Sequence, residues 1–267
     1  MTTETETANT ETALRLSSLT LTAGRDKCGR PETGDIHFRP GEITALLGPT
    51  GSGKSRLLGD IESLAAGDTP TGRRMLLNGQ SPDDDTRFEL QGRLVAQLTQ
   101  NMNFVLDMGV MDFLRTHALS REVASPDETA GRVFAAANSL AGEPFRPETQ
   151  LTQLSGGQSR ALMIADTALL SWSPVLLIDE IENAGVDKRR ALDLLLSTDK
   201  IIVMATHDPI LALAAGRRLI FENGAVTKTL RRSPAETACL ARLEEMERRW
   251  SEIRTALRRG EPLPSPA

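Results

Sequence analysis

The stretch GPTGSGKS, Gly48 to Ser55, constrains the fold more than any other part of the chain. It follows the apolar run EITALL and precedes a helical pattern formed by Leu57, Leu58, Ile61, Leu64 and Ala65, with Gly67 near its end. A buried strand, a glycine loop and a helix in that order fit the phosphate-binding pattern G-x-x-x-x-G-K-[ST]. The glycines, Gly48, Gly51 and Gly53, let backbone N–H groups wrap an anion, in a loop completed by Pro49, Thr50 and Ser52. Lys54 brings a point charge to the β- and γ-phosphates, and the Ser55 hydroxyl a ligand for Mg²⁺.

The apolar run VLLID, ending at Asp179, predicts a second buried strand that delivers a carboxylate to the same sheet edge, where it holds Mg²⁺ through water. Glu180 follows and points to the opposite side, placed to orient or deprotonate a water. IIVMATHDP reads as another buried strand ending at His207, whose neutral imidazole can donate toward a phosphate oxygen.

Strands alternating with helices imply an α/β fold with a mostly parallel sheet. Short alternating segments at 14–22 and 35–39, then Met75–Leu77 before the Asn78–Gly79 turn, imply an antiparallel β subdomain at the N-terminal end. Residues 110–150 turn helical, with a capping box expected at Ser125-Pro126-Asp127-Glu128. RRLIFENGAVTKTL reads as strand, Asn-Gly turn, strand. The expected organisation is a polar disordered tail over 1–12, a domain over 13–232 with a helical insertion at about 101–170, an amphipathic helix over 233–259 and a tail over 260–267.

That last helix starts at a second capping box, Ser233 to Glu236. It carries Cys239, Leu243, Met246, Trp250, Ile253 and Leu257 at alternating spacings of four and three. The stripe is too short for a secure coiled-coil assignment, and packing on the protein's own body is the favoured reading.

A net charge of −5 argues against a general nucleic-acid partner. No apolar run reaches the roughly 18–20 residues of a membrane span. The opening MTTETETANTETA lacks the basic and apolar regions of a secretion signal. Cys28 and Cys239 form no metal-type spacing or disulfide framework, which points to a reducing cytoplasm, with docking at the inner face of a membrane left open.

Leu154-Ser155-Gly156-Gly157-Gln158 opens another helix with small polar residues and bare backbone, a start suited to an anion. On this segment, lying between the phosphate loop and the Asp179 strand, the chain resembles the ATP-binding cassette (ABC) ATPase family across roughly residues 13–230. The resemblance assigns Gln100 to the loop linking the catalytic core to the helical insertion, as a Mg²⁺ and water ligand. It makes Glu180 the catalytic carboxylate, Asp187 part of the loop that follows it, and His207 the γ-phosphate switch. It implies ATP and Mg²⁺, and a head-to-tail dimer in which Ser155 to Gln158 close over the partner subunit's nucleotide. It also implies a separate integral-membrane permease.

A soluble ABC ATPase that remodels a protein, ribosome or metalloenzyme is the alternative. A phosphate-loop kinase or GTPase leaves residues 154–158 unexplained. Three features depart from the family's pattern: Ile181-Glu182-Asn183 after Glu180, Asp166 at or beside a usual arginine, and the SWSP run at 171–174. The chain has no tyrosine, and no aromatic residue follows the first strand to stack on adenine. Arg25 could stack there instead, although a solvated loop arginine is the favoured reading.

Overall fold

The computed structural model describes residues 15–99, 102–179 and 185–263. Gln100, Glu180 and the segment Ile181-Glu182-Asn183 lie outside the described residues.

Six strands form the central sheet, in the order β5 (Val95–Leu98), β6 (Val175–Asp179), β7 (Ile201–Ala205), β3 (Ile43–Leu47), β8 (Arg217–Glu222), β9 (Ala225–Arg231). The first five are parallel, and β9 returns antiparallel on β8. The apolar runs are continuous because the sheet is covered on both faces. Along β7, Ile201, Val203 and Ala205 enter one core while Ile202 and Met204 enter the other. β9 is the edge strand, and its Thr, Lys and Arg side chains keep it in water.

A three-stranded antiparallel sheet, β2 (Ile36–Phe38), β1 (Leu19–Leu21), β4 (Met75–Leu77), covers one face together with α1 (Lys54–Glu62). After β4, Asn78 and Gly79 take positive φ angles of 52° and 82°, the left-handed pair a tight hairpin turn requires. The helix α1 ends at Ser63, and Leu64 is already left-handed at φ 51°, so the reversal precedes Gly67.

The other face carries α3 (Val110–Ser120), α4 (Pro126–Leu140) and α5 (Gly156–Leu169), packed through Leu114, Ala118, Val133, Ala137, Leu162 and Ala165. The capping box expected at Ser125 does not form. The Ser125 backbone sits at φ −132°, ψ 80° and its side chain makes no cap hydrogen bond. Asp127, in the first turn, pairs with Arg115, whose Nε donates to it at 2.7 Å. Two elements that the sequence pattern left unmarked, α2 (Asp84–Leu90) and β5, connect β4 to this helical layer. The helices α6 (Lys188–Leu196) and α7 (Pro209–Ala214) complete the α/β alternation.

The second capping box does form. Ser233 accepts from the Glu236 N–H and Glu236 accepts from the Ser233 N–H at the start of α8 (Pro234–Arg259). Glu236 also pairs with Arg218 on β8 at 2.7 Å, and Glu244 with Arg189 on α6 at 2.6 Å. Those pairs fasten the N-terminal half of α8 to the body, where Leu240 is buried and Leu243 half-buried. Farther along, the stripe is open: Met246, Trp250 and Leu257 are 55%, 58% and 60% exposed.

Candidate active site

Parallel register brings the predicted groups to one sheet edge. Asp179 pairs with Ala205, and Ala205 with Leu46, so β6, β7 and β3 end side by side. Asp179, His207 (two residues beyond Ala205) and the loop from Gly48 therefore emerge together at the carboxyl ends of adjacent strands, where open α/β sheets bind ligands. His207 is exposed and Asp179 half-buried. Asp208 caps α7 by accepting from the N–H groups of Ile210 and Leu211 at 2.9 and 3.0 Å, and it pairs with Lys188. That pair ties the His207 turn to the start of α6.

Two glycines of the phosphate loop are required by close approach. A Cβ on Gly48 would lie 2.4 Å from the Phe221 carbonyl oxygen, and one on Gly53 would lie 2.7 Å from the Gly224 Cα; φ is +149° and +112°. Gly53 sits at the N-cap of α1, so the first N–H groups of that helix open into the loop. Lys54 donates to the carbonyls of Gly48 and Pro49 at 2.6 and 3.1 Å, which curls its ammonium over the loop's own backbone. Pro49, Thr50, Gly51 and Ser55 are exposed, and Ser52 is buried with a hydroxyl that has no hydrogen-bond partner.

The β8–β9 turn braces this loop from behind. Asn223 and Gly224 have φ of 49° and 94°, and the Gly224 N–H donates to the Ser52 carbonyl at 2.6 Å. The Lys27 N–H donates to the Asn223 carbonyl at 2.9 Å, and the Lys27 ammonium donates to the Gly51 carbonyl. Sequence reasoning missed Lys27. It lies 21 residues before the motif's first glycine in a loop of polar residues, and nothing local marks it.

Beneath the brace lies a buried ion network. Arg73, fully buried, donates to Glu32 at 2.9 and 2.6 Å, to Asp60 at 2.9 Å and to the Gly224 carbonyl at 3.3 Å. Asp60 belongs to α1, Glu32 to the β1–β2 loop and Gly224 to the hairpin, so one guanidinium joins three elements around the phosphate loop. Burial works against the Glu32 carboxylate, but the Arg73 hydrogen bond and the N–H groups of Gly24 and Val226 outweigh it and hold its pKa below the ordinary value.

The second anion-type helix start is well formed. Ser155 caps α5, its hydroxyl accepting from the Gln158 N–H at 3.3 Å while Gln158 Oε1 accepts from the Ser155 N–H at 2.9 Å. Gln158 Nε2 donates to the Glu143 carbonyl at 3.2 Å, so this side chain is occupied in building the cap. Ser155 and Gly156 are exposed, and nothing stands within 4 Å of a Cβ on Gly156. Gly157 instead packs against Gly185 in the segment that follows β6. Asp187 caps α6 by accepting from the Arg190 N–H at 3.1 Å, and its own N–H donates to the Leu140 carbonyl at 2.8 Å.

The donor set fits Mg²⁺ carried in with a nucleotide. Among the described residues no group of three or more His, Cys, Asp or Glu could hold a metal by itself. A single hydroxyl, Ser55, and a single carboxylate, Asp179, suit an ion that takes its other ligands from phosphate and water.

A family model described as ABC transporter matches residues 33–183. Over 251 residues, 94% of this chain and 96% of the relative, the sequence is 44% identical to an uncharacterized ABC transporter ATP-binding protein of Methanocaldococcus jannaschii. It is 28% identical over 198 residues to the lipoprotein-releasing system ATP-binding protein LolD of Psychrobacter arcticus, covering 71% of this chain and 86% of that one. Against the macrolide export ATP-binding/permease protein MacB of Hahella chejuensis the identity is 30% over 210 residues. That match covers 72% of this chain and only 30% of the relative.

Among solved structures, cbiO1 from Clostridium perfringens superposes with a TM-score of 0.59 at 20% identity, covering 86% and 93% of the two chains. A dimeric post-hydrolysis state of an ATP-binding cassette bound to ADP and Pi superposes with a TM-score of 0.58 at 21% identity, covering 80% and 98%. These likenesses carry the fold, and the sequence matches carry the membership: the chain belongs to the ABC transporter family, as its ATP-binding, ATP-hydrolysing subunit.

Proposed function

We propose that two copies of this chain close head to tail on two Mg-ATP molecules and drive a separate integral-membrane permease from the cytoplasmic side. The observation that carries this reading is the exposed, capped start of α5 at Ser155 and Gly156. It is built to receive an anion, while the chain's own triphosphate site is the loop at Gly48 to Ser55.

In each shared site the loop's N–H groups and Lys54 would hold the phosphates, and Ser55, Asp179 and Gln100 would hold Mg²⁺, which when bound would supply neutralisation of phosphate charge. Glu180 takes a proton from a water as its oxygen attacks the γ-phosphorus. The bond to the β,γ-bridging oxygen breaks, and the electron pair leaves with ADP. His207 donates to a γ-phosphate oxygen, and Ser155, Gly156 and Gly157 of the other copy close over it. Asp187 lines the same junction from the start of α6.

No helix among the described residues is long and apolar enough to cross a membrane. An exposed apolar patch at Met102, Val105 and Leu106, just after Gln100, supports docking of a separate partner there.

The test is Glu180→Gln, which should bind Mg-ATP, hydrolyse it at least a hundredfold more slowly by the usual magnitude of general-base catalysis (~10²–10⁴), and elute as an ATP-dependent dimer. Undiminished turnover removes Glu180 from the role. Full activity in Ser155→Arg rejects the shared site.

A further inference from the structure

Arg217 opens β8 with only 8% of its surface exposed. Strand alternation puts it on the same side as Leu219 and Phe221, in the core under the antiparallel sheet. Its guanidinium carbon lies 5.2 Å from the centroid of the Phe38 ring. Nε and Nη2 are buried without a hydrogen-bond partner.

The contrast with its neighbours is sharp. Arg73, deeper still, is balanced by two carboxylates, and Arg218, next in the chain, has Glu236 at 2.7 Å although its Nε has no hydrogen-bond partner. Buried charges are ordinarily paired, because leaving one unpaired in a low-dielectric interior is costly. Burial accordingly pulls the Arg217 pKa down; Glu42 opposes that, while Arg231 and Arg39 add to it. The sole carboxylate of that set, Glu42, sits 3.8 Å from Arg231.

Arg217 lines a cavity of about 350 Å³ between the two sheets. One wall is the edge strand β2, at Ile36 and His37; the other is the β8–β9 hairpin, at Leu219 and Val226 to Thr229. The volume falls at the low end of small-molecule sites, roughly 300–1,000 Å³. On the hairpin wall Thr229, opposite Leu219, offers a hydroxyl on the same strand face as the Arg217 guanidinium. The two carboxylates on its rim are already engaged. Glu32 holds Arg73, and Asp35 accepts from the Ala23 N–H at 2.8 Å. The phosphate loop contributes no residue to the lining.

We propose that this cavity binds a small oxyanion, a metabolite carrying a phosphate or carboxylate group, whose charge is received by Arg217. The site is separate from the nucleotide site and supplies the counter-charge that the fold withholds from this arginine. Leu219, Ile36 and Val226 offer an apolar surface to the rest of the molecule.

The experiment compares thermal unfolding of the full-length chain and of Arg217→Met in chloride, inorganic phosphate and succinate at equal ionic strength. Methionine keeps the aliphatic stem and removes the buried charge. An anion that binds only the folded state at about ten times its Kd multiplies the folding constant about 11-fold. The expected result is a rise in Tm of the wild type in phosphate or in succinate that exceeds any rise in Arg217→Met. Which of the two salts acts identifies the ligand's charged group. Phosphate entering the phosphate loop raises both proteins alike and cancels in the comparison. Equal rises in both proteins, or none in either, overturn the proposal. Should Arg217→Met fail to fold, the Nε–H resonance of Arg217 in the wild type decides: saturable movement with either anion supports the site, and a fixed resonance overturns it.

Discussion

Gly157 and Gly185 meet backbone to backbone: a Cβ on Gly157 would lie 2.9 Å from both the Cα and the carbonyl oxygen of Gly185. This contact holds the start of α5 against the segment that follows β6 and Asp179. A neighbouring link, the Gly142 N–H to the Gly185 carbonyl at 2.9 Å, closes the corner. The two adjacent glycines of the motif therefore have different physical reasons to be small. Gly157→Ala should destabilise the folded chain by about 1–3 kcal/mol, as overpacking does. Gly156→Ala meets open space and should leave stability unchanged or raise it by up to about 1 kcal/mol through helix propensity. Urea unfolding of the two variants checks this, and equal losses would refute the distinction. If Gly156 meets a phosphate in the closed dimer, its alanine variant should still lose ATPase activity.

Arg73→Ala should cost about 3–5 kcal/mol, because it leaves Glu32 and Asp60 buried without their cation. The same network gives a pH dependence whose sign follows from Glu32. Its folded pKa lies below the ordinary value. Its contribution is therefore fully present above the unfolded carboxylate pKa and is lost as the pH falls through the folded one. Stability measured from pH 7 down to pH 3 should fall more steeply in the wild type than in Glu32→Gln. Parallel curves would show that Glu32 does not titrate with folding.

What was legible in the sequence was whatever depends on short spacing. Glycine, lysine and serine within eight residues marked the phosphate loop. Unbroken apolar runs marked β6 and β7, because a strand covered on both faces has no polar side to show. Ser155 and Gln158, three apart, announced their own cap. The supports of the site were not legible, since they pair residues far apart in the chain: Glu32 with Arg73, Lys27 with Gly51, Gly53 with Gly224. Even a local signal failed at Ser125, whose ψ of 80° departs from the 159° and 163° at the serine caps that do form, Ser155 and Ser233. Arg217 and Arg218 looked alike in sequence, and only the fold separates a paired arginine from an orphaned one.

Lys200 supplies a second pH dependence of the same sign, in the alkaline range. Burial, with a smaller contribution from Arg121, lowers its pKa to about 8. Its ammonium donates to the Ser171 and Ser173 carbonyls at 2.6 and 2.8 Å, bracing the loop that carries Trp172. Between about pH 8 and the model-peptide lysine pKa of about 10.4, the unfolded chain binds more protons than the folded one, so stability should rise with pH there. The wild type should gain relative to Lys200→Met across that window. A constant difference between the two proteins would mean that Lys200 stays charged in the fold.

The loop between β1 and β2 has no aromatic ring to offer a nucleotide's base. Arg25, the first arginine after β1, has its Nη1 donating to the Gly29 carbonyl at 3.3 Å and its N–H to the Thr71 carbonyl at 2.8 Å. Its guanidinium is thus engaged in shaping the loop, and Arg25→Ala should leave the ratio of ATP to GTP affinity close to that of the wild type. Lys27 differs, because it touches the phosphate loop itself through Gly51. Removing that hydrogen bond in Lys27→Met should weaken ATP and GTP alike by about 2- to 12-fold, the range for a net 0.5–1.5 kcal/mol. Neither effect should discriminate bases, since Lys27 acts through the Gly51 carbonyl and Arg25 is engaged within its own loop. Titrating both nucleotides against the three proteins checks all of this together. A strong preference for ATP that survives Arg25→Ala would mean that a group outside the β1–β2 loop reads the adenine. An unchanged affinity in Lys27→Met would show that the Gly51 contact adds nothing to the binding conformation of the loop.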